Sequence, residues 1–281
     1  MPLNTDLVGK EYPESTYEVT AEAIERYARA TNDDNERYLS GENVVASPIF
    51  PIVPAFRYLM EAGMDPELQA DLLRLVHGEE EHVLNRPIQA GDVLTIHPVI
   101  ESIERKDTGE TFTIKVSETD RQGDLVAEVR ATSFIRGTGS GKRAAASATS
   151  EPEDRQIVYE DTTKVDEDQT YRYAEASGDQ NPIHLDENTA RMAGLPGIIL
   201  HGMCTMAIAT KGAVNGLAGG DPTRVKRVAV RFSRPVLPGQ ELTTKFWKAG
   251  SGNGVTVYGF ETYNPDGRAV INNASVEIAD A

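Results

Sequence analysis

Two kinds of hydrophobic pattern alternate along this chain. Short runs rich in Val, Ile, Thr, Phe and Tyr predict strands near Val93–Glu101, Thr111–Thr119 and Leu125–Ile135, and again near Lys226–Phe232, Glu241–Trp247, Val255–Tyr263 and Ala269–Ile278. Turn signals such as Asp107-Thr108-Gly109 and Asn264-Pro265-Asp266-Gly267 separate them. Two segments, roughly Pro54 to Ala62 and Gly202 to Leu217, are apolar nearly all round, which predicts buried helices. A second helix type is announced by its ends. Asp166 can cap a helix with Gln169 at the capping-box position, and Gly178 can end it; Thr20 is a weaker cap for an equivalent helix. A long apolar helix followed by an antiparallel meander predicts an α+β fold with the sheet wrapped around that helix.

The pattern occurs twice. Arg26-Tyr27-Ala28 through Asn35 aligns without a gap on Arg172-Tyr173-Ala174 through Asn181, and Leu84 through Thr95 aligns on Phe232 through Thr243. Two copies of one unit is the economical account. Between them, residues 138–154 are small, polar and without periodicity, as expected of a linker. The expected organisation is a repeat over 1–137, a linker over 138–154 and a second repeat over 155–281.

Composition narrows the function. The formal charge is −16 over 281 residues, which disfavours a polyanionic partner and therefore nucleic acid. No apolar run is long enough to cross a membrane, and the first residues lack a secretory pattern. A single cysteine, Cys204, excludes an internal disulfide and any multi-cysteine metal site, and its apolar surroundings predict a buried, inert thiol. These features predict a cytoplasmic protein.

Candidate chemistry is concentrated in the second repeat. Ser177-Gly178-Asp179-Gln180-Asn181-Pro182-Ile183-His184 sets a carboxylate and an imidazole in a Gly/Pro-broken loop after a helix. Pro196 through Met203 then leads into the apolar helix that begins near Gly202. An acid/base pair beside a helix N-terminus suits proton chemistry next to a carbonyl. An Asx turn alone would also explain Asp179 and Asn181. His77 and His82 flank a Glu run without a convincing third ligand, so a loop or strand-edge position is expected, and no metal site. His97 is expected to be structural, and His201 to pack or hydrogen-bond near the site without ionising.

The string from Tyr173 to His184, with Ala190 and then His201-Gly202-Met203, resembles the signature of the MaoC-like dehydratases, and most of all their (R)-specific type-2 enoyl-CoA hydratases. The two-copy layout is similar to the double hot-dog members of that family. The resemblance implies reversible hydration of trans-2-enoyl-CoA to (3R)-3-hydroxyacyl-CoA. It assigns Asp179 and His184 to the attacking water, Gly202 to the thioester oxygen and Asn181 to a supporting role. It also implies no metal or redox cofactor, an acyl-CoA substrate and a homodimer. The first copy keeps Asp33 and Asn35 but has Tyr38 at the position of His184 and Pro54 at that of Gly202, so one active site per chain is expected. Its residues near Val44–Tyr58 would shape the acyl cavity. Lys226, Arg227, Arg231 and Arg234 are candidate CoA-phosphate contacts or simply a solvated sheet face. The alternatives are a dehydratase acting on acyl-ACP or on a branched or dicarboxylic acyl-CoA, a non-catalytic acyl-thioester-binding protein, and a thioesterase.

Overall fold

The computed structural model describes residues 2–39, 44–72, 74–137 and 155–280; the expected linker lies outside them. The first repeat contains β1 (Ser15–Glu18), α1 (Ala21–Ala30), the short α2 (Glu36–Leu39), α3 (Ile52–Gly63), β2 (Leu75–Leu84), β3 (Val93–Lys106), β4 (Gly109–Thr119) and β5 (Leu125–Arg136). The second contains β6 (Ile157–Lys164), α4 (Gln169–Ser177), the short α5 (Glu187–Met192), α6 (Gly202–Leu217), β7 (Val225–Phe232), β8 (Glu241–Gly252), β9 (Val255–Tyr263) and β10 (Ala269–Ala279). Every strand and helix expected from pattern is present. Three strands were not expected: β1, β2 and β6.

The strands form one sheet in the order β1-β3-β4-β5-β2-β7-β10-β9-β8-β6. Each repeat therefore orders its five strands identically, and the two meet through β2 and β7. The pairing at that seam is antiparallel, with Glu81 opposite Ala229. These two residues also align in the register that matches Leu84 with Phe232, so the local two-fold axis of the duplication passes through this pair. This is the double hot-dog arrangement: α3 and α6 are the wrapped helices. Along α6 most residues from Met203 to Val214 are buried, as its all-round apolar sequence requires.

A second contact locks the repeats together. Helices α1 and α4 pack against each other, with the Tyr27 and Tyr173 rings 5.8 Å apart. Gln169 Nε2 donates to the Ala30 carbonyl at 3.2 Å, and Lys211 Nζ to that of Asn32 at 2.5 Å.

The helix ends differ from expectation in one respect. Thr20 does cap α1, its Oγ1 accepting from Ala23 N at 3.1 Å. Asp166 does not cap α4. Its carboxylate is drawn away by Arg172 at 2.7 Å and Asn32 at 3.0 Å, and only the reverse half of the box forms, with Gln169 Oε1 accepting from Asp166 N. An ion pair to Arg172 of α4 itself and a hydrogen bond from Asn32, just beyond α1, outcompete the local cap. Gly178 ends α4 at φ +82°, as expected.

Candidate active site

The loop after α4 builds the site by a chain of short-range bonds. Ser177 Oγ accepts from Asp179 N at 3.2 Å, Asp179 Oδ1 accepts from Asn181 N at 3.1 Å, and Asn181 Oδ1 accepts from Ile183 N at 3.3 Å. Asn181 thereby caps the 3-10 turn Pro182–His184 that carries the imidazole. His184 Nδ1 donates to the Ile199 carbonyl at 2.8 Å. That bond places the proton on Nδ1 and leaves Nε2 as the acceptor.

His201, immediately before α6, completes the cluster. Its Nε2–H donates to the Asp179 carbonyl at 3.1 Å, and its ring stacks on that of His184. Burial and the neighbouring His184 push its pKa down to about 3, so it stays neutral. It hydrogen-bonds and packs, as expected, and does not ionise. One donor atom from each of Asp179, His184 and His201 lies within 4.8 Å of the others. One nitrogen of each imidazole serves a backbone carbonyl, which leaves one nitrogen of each ring without a backbone partner. Burial raises the Asp179 carboxyl and lowers the His184 imidazole, and each charge opposes the shift of the other.

Gly202 is the first residue of α6, and no side chain caps that end. First-turn N–H groups have no intrahelical acceptor and lie at the positive end of the helix dipole. A Cβ at Gly202 would come 3.2 Å from the Phe232 ring, so the position accepts only hydrogen without displacing that ring.

The first repeat repeats the loop and not the chemistry. Asp33 Oδ1 accepts from Asn35 N at 3.2 Å and Asn35 Oδ1 from Arg37 N at 3.0 Å, the same two turns. Tyr38, fully buried, stands where the imidazole would be. The helix-end comparison needs a correction. α3 begins at Ile52, so Pro54 is its third residue and not the structural counterpart of Gly202. The amide donors are nevertheless consumed: Ile52 N bonds to Ile49 O and Val53 N to Phe50 O at 2.8 Å, because a turn runs directly into the helix. Pro54 has none to offer.

The four basic candidates fare differently. Arg227 is held by Glu81 at 2.5 Å, with Ser275 and Glu277 also in contact. Lys226 and Arg234 donate to the carbonyls of Thr223 and Ala269. Arg231 is exposed, with only a loose 3.8 Å approach to Glu79.

One expectation fails at β2: His82 lies in the middle of the sheet, paired with β5 and β7, whereas His77 is on the part of the strand paired with β5 alone. Charged residues tolerate this place because they are paired: Glu81 with Arg227 and Arg130 of neighbouring strands, and Glu80 with two histidines of its own strand. Glu80, fully buried, accepts from His77 Nε2 at 2.8 Å and His82 Nε2 at 3.0 Å. His97 is structural, bridging Glu14 and Thr119 across β3. Cys204 is buried, and burial pushes its thiol far up, so it is inert. Among the described residues no helix is long and apolar enough to cross a membrane.

Sequence reasoning missed Ile199 and Phe232 as parts of this site. Only Phe232 carried a signal, through its alignment with Leu84 at the start of a matched segment.

A family model described as "MaoC like domain" matches residues 148–265, and one described as "FAS1-like, dehydratase domain region" matches residues 6–129. The chain belongs to the MaoC-like dehydratases and has their double hot-dog fold. Among its relatives, the mouse peroxisomal multifunctional enzyme type 2 is 32% identical over 83% of this chain and 32% of its own length. The 3-hydroxyacyl-thioester dehydratase Y of Mycobacterium tuberculosis is 33% identical over 72% of each chain. The chain spans 32% and 41% of the mouse and Drosophila multifunctional enzymes. In structure it is similar to a MaoC-like dehydratase from Phytophthora capsici, with a TM-score of 0.84, 26% identity, and coverage of 99% of this chain and 98% of that one. A Mycobacterium tuberculosis protein described as a double hotdog fold aligns with a TM-score of 0.63 at 12% identity, covering 97% and 96%, and bears on fold alone.

Proposed function

We propose that this chain catalyses reversible syn addition of water to trans-2-enoyl-CoA, giving (3R)-3-hydroxyacyl-CoA. One observation carries the reading. The bond from His184 Nδ1 to Ile199 leaves Nε2 free beside the Asp179 carboxylate, next to the uncapped start of α6 at Gly202. Hydration needs a water deprotonated as it attacks C3, a proton delivered to C2, and stabilisation of charge on the thioester oxygen. Asp179 and His184 serve the first two needs through one water, a contribution of roughly 10²–10⁴-fold. The Gly202 amide serves the third, worth roughly 10²–10³-fold by analogy with other oxyanion donors. The scheme requires no metal or redox cofactor.

The acyl chain has a place to go. A groove of about 380 Å³, walled by Tyr17, Val53, Phe56 and Met60 of the first repeat, opens on Ser177 and Gly178, the backbone directly before Asp179. Arg231, exposed on the strand that carries Phe232, is the freest of the four cations for a CoA phosphate. A homodimer and a cytoplasmic setting belong to the same proposal, although several relatives are named peroxisomal.

The test is direct. Purified protein is given short and medium enoyl-CoA, loss of the conjugated double bond is followed, and product chirality is determined. A (3R) product supports the reading. Free CoA as the product would establish a thioesterase, and tight binding without conversion would establish a carrier protein.

A further inference from the structure

We propose that the groove beside α3 selects acyl chains that end in an anion, and that Arg57 receives a carboxylate at the far end of the chain. This deepens the hydratase reading above and rests on it. The substrate is a trans-2-enoyl-CoA that carries a terminal carboxylate.

The two repeats treat the same space differently. β1 and β6 are the edge strands of the sheet, each at the outer end of its own repeat. In the second repeat, glycines of α6 let the helix close onto β6. A Cβ at Gly212 would come 2.9 Å from the Asp161 Cβ, and one at Gly216 would come 2.2 Å from the Tyr159 ring. In the first repeat, α3 turns Val53, Phe56 and Met60 toward β1 instead, and about 380 Å³ stays open between them and Tyr17. These three residues recur at helical spacing, so they form one apolar stripe. None of the three is fully buried. An apolar wall left half-covered in this way suits a methylene chain.

Arg57 lies on the same wall and is exposed. Arginines on other helices hold a carboxylate one turn earlier: Arg26 with Glu22, Arg29 with Glu25, and Arg191 with Glu187. One turn before Arg57 stands Val53, an apolar residue of the stripe. Among the described residues the Arg57 guanidinium has no carboxylate partner, and it rests 4.9 Å from the centroid of the Tyr58 ring. In a chain of formal charge −16, an apolar groove thus carries a cation without a counterion. A planar guanidinium takes a carboxylate through two parallel hydrogen bonds.

The groove also touches Ser177 and Gly178, the two residues before Asp179. Val53 to Met60 spans roughly 10 Å of helix, enough for several methylenes between the reacting double bond and the anion. A terminal methyl set against Arg57 partly desolvates the guanidinium without pairing it, whereas a carboxylate pairs it. Both effects favour the charged chain.

The test compares two trans-2-enoyl-CoA substrates of equal chain length, one ending in a carboxylate and one in a methyl group. Arg57→Gln should lower the ratio of kcat/KM, carboxylate over methyl, by roughly 10–100-fold, mostly through KM. Arg57→Lys, which keeps the charge but not the fork, should fall between. Rising salt should narrow the preference, because the guanidinium is exposed. Both acids are then offered as N-acetylcysteamine thioesters, which lack the CoA phosphates, and the preference should persist. An unchanged ratio in a folded Arg57→Gln protein would overturn the proposal. So would an equal loss for both CoA substrates that vanishes with the cysteamine thioesters, since Arg57 would then read a CoA phosphate. Calorimetric titration with the two saturated acyl-CoAs separates recognition from hydration. If the carboxylate analogue binds wild type more tightly and Arg57→Gln loses that preference, the groove assignment stands even where no enoyl-CoA is hydrated. Hydration of both substrates with no preference for the carboxylate sinks the groove assignment and leaves the hydratase reading in place.

Discussion

His201 and His184 lie face to face, with ring centroids 3.8 Å apart and planes 27° from parallel. The neutral His201 ring acts as a shelf for the His184 ring. Because His201 also donates to the Asp179 carbonyl, a single side chain fixes both halves of the acid/base pair. His201→Ala should lower kcat at least about tenfold while leaving KM within about threefold. It should also cost roughly 1–3 kcal/mol of stability, since a buried acceptor is left unpaired. Steady-state kinetics beside a denaturant titration measure both. An unchanged kcat would show that the stack is only packing.

The two repeats should respond in opposite ways to loss of an aspartate. Asp179→Asn and His184→Ala should each reduce the hydration rate at least about a hundredfold without unfolding the protein. Asp33→Asn should keep most activity, because no imidazole or free amide accompanies Asp33. Abolished turnover in Asp33→Asn would refute the assignment of the first repeat.

Asp33 also makes a stability prediction. Burial pushes its carboxyl up from 3.8 to about 6. A carboxyl whose pKa is raised by folding binds its proton more tightly in the folded state. Its favourable contribution is therefore present in full below pH 3.8 and lost as pH rises through about 6. At pH 7 the ionised group costs on the order of 3 kcal/mol. Asp33→Asn should then raise stability at pH 7 by about 1–3 kcal/mol, and the gain should fade below pH 4. Unfolding curves at the two pH values decide it.

Gly202 tests the oxyanion assignment. A methyl group there would meet Phe232 at 3.2 Å, inside ordinary contact, and would crowd the space beside the first-turn amides. Gly202→Ala should lower kcat/KM by roughly 10–100-fold, and Phe232→Leu in the same chain should restore part of it by making room. Equal loss in the single and double variants would mean that the clash is not the cause.

The basic residues of β7 separate into binding and structure. Arg231→Ala should raise KM for acyl-CoA several-fold at low salt, and the difference should shrink as salt screens the exposed charge. Arg227→Ala should leave KM nearly unchanged but cost on the order of 1 kcal/mol, because its partner Glu81 sits at the seam. The reverse pattern would move the phosphate contact to Arg227.

Local chemistry alone determined much of this protein. The repeat, the all-round apolar α6, the strands of each meander and the Asp179–His184 loop were legible because period, turn residues and motif spacing act over a few neighbouring positions. The edge strands β1 and β6 were missed. So was β2, whose Glu-rich run reads as a loop until Arg227 and Arg130 are brought to Glu81 from other strands and His77 and His82 of the same strand turn to Glu80. The start of α3, the failure of Asp166 to cap and the fixing of the His184 proton by Ile199 were decided in the same way. Each depends on a partner supplied by packing, and a buried charge or donor can be judged only when the group that satisfies it is known.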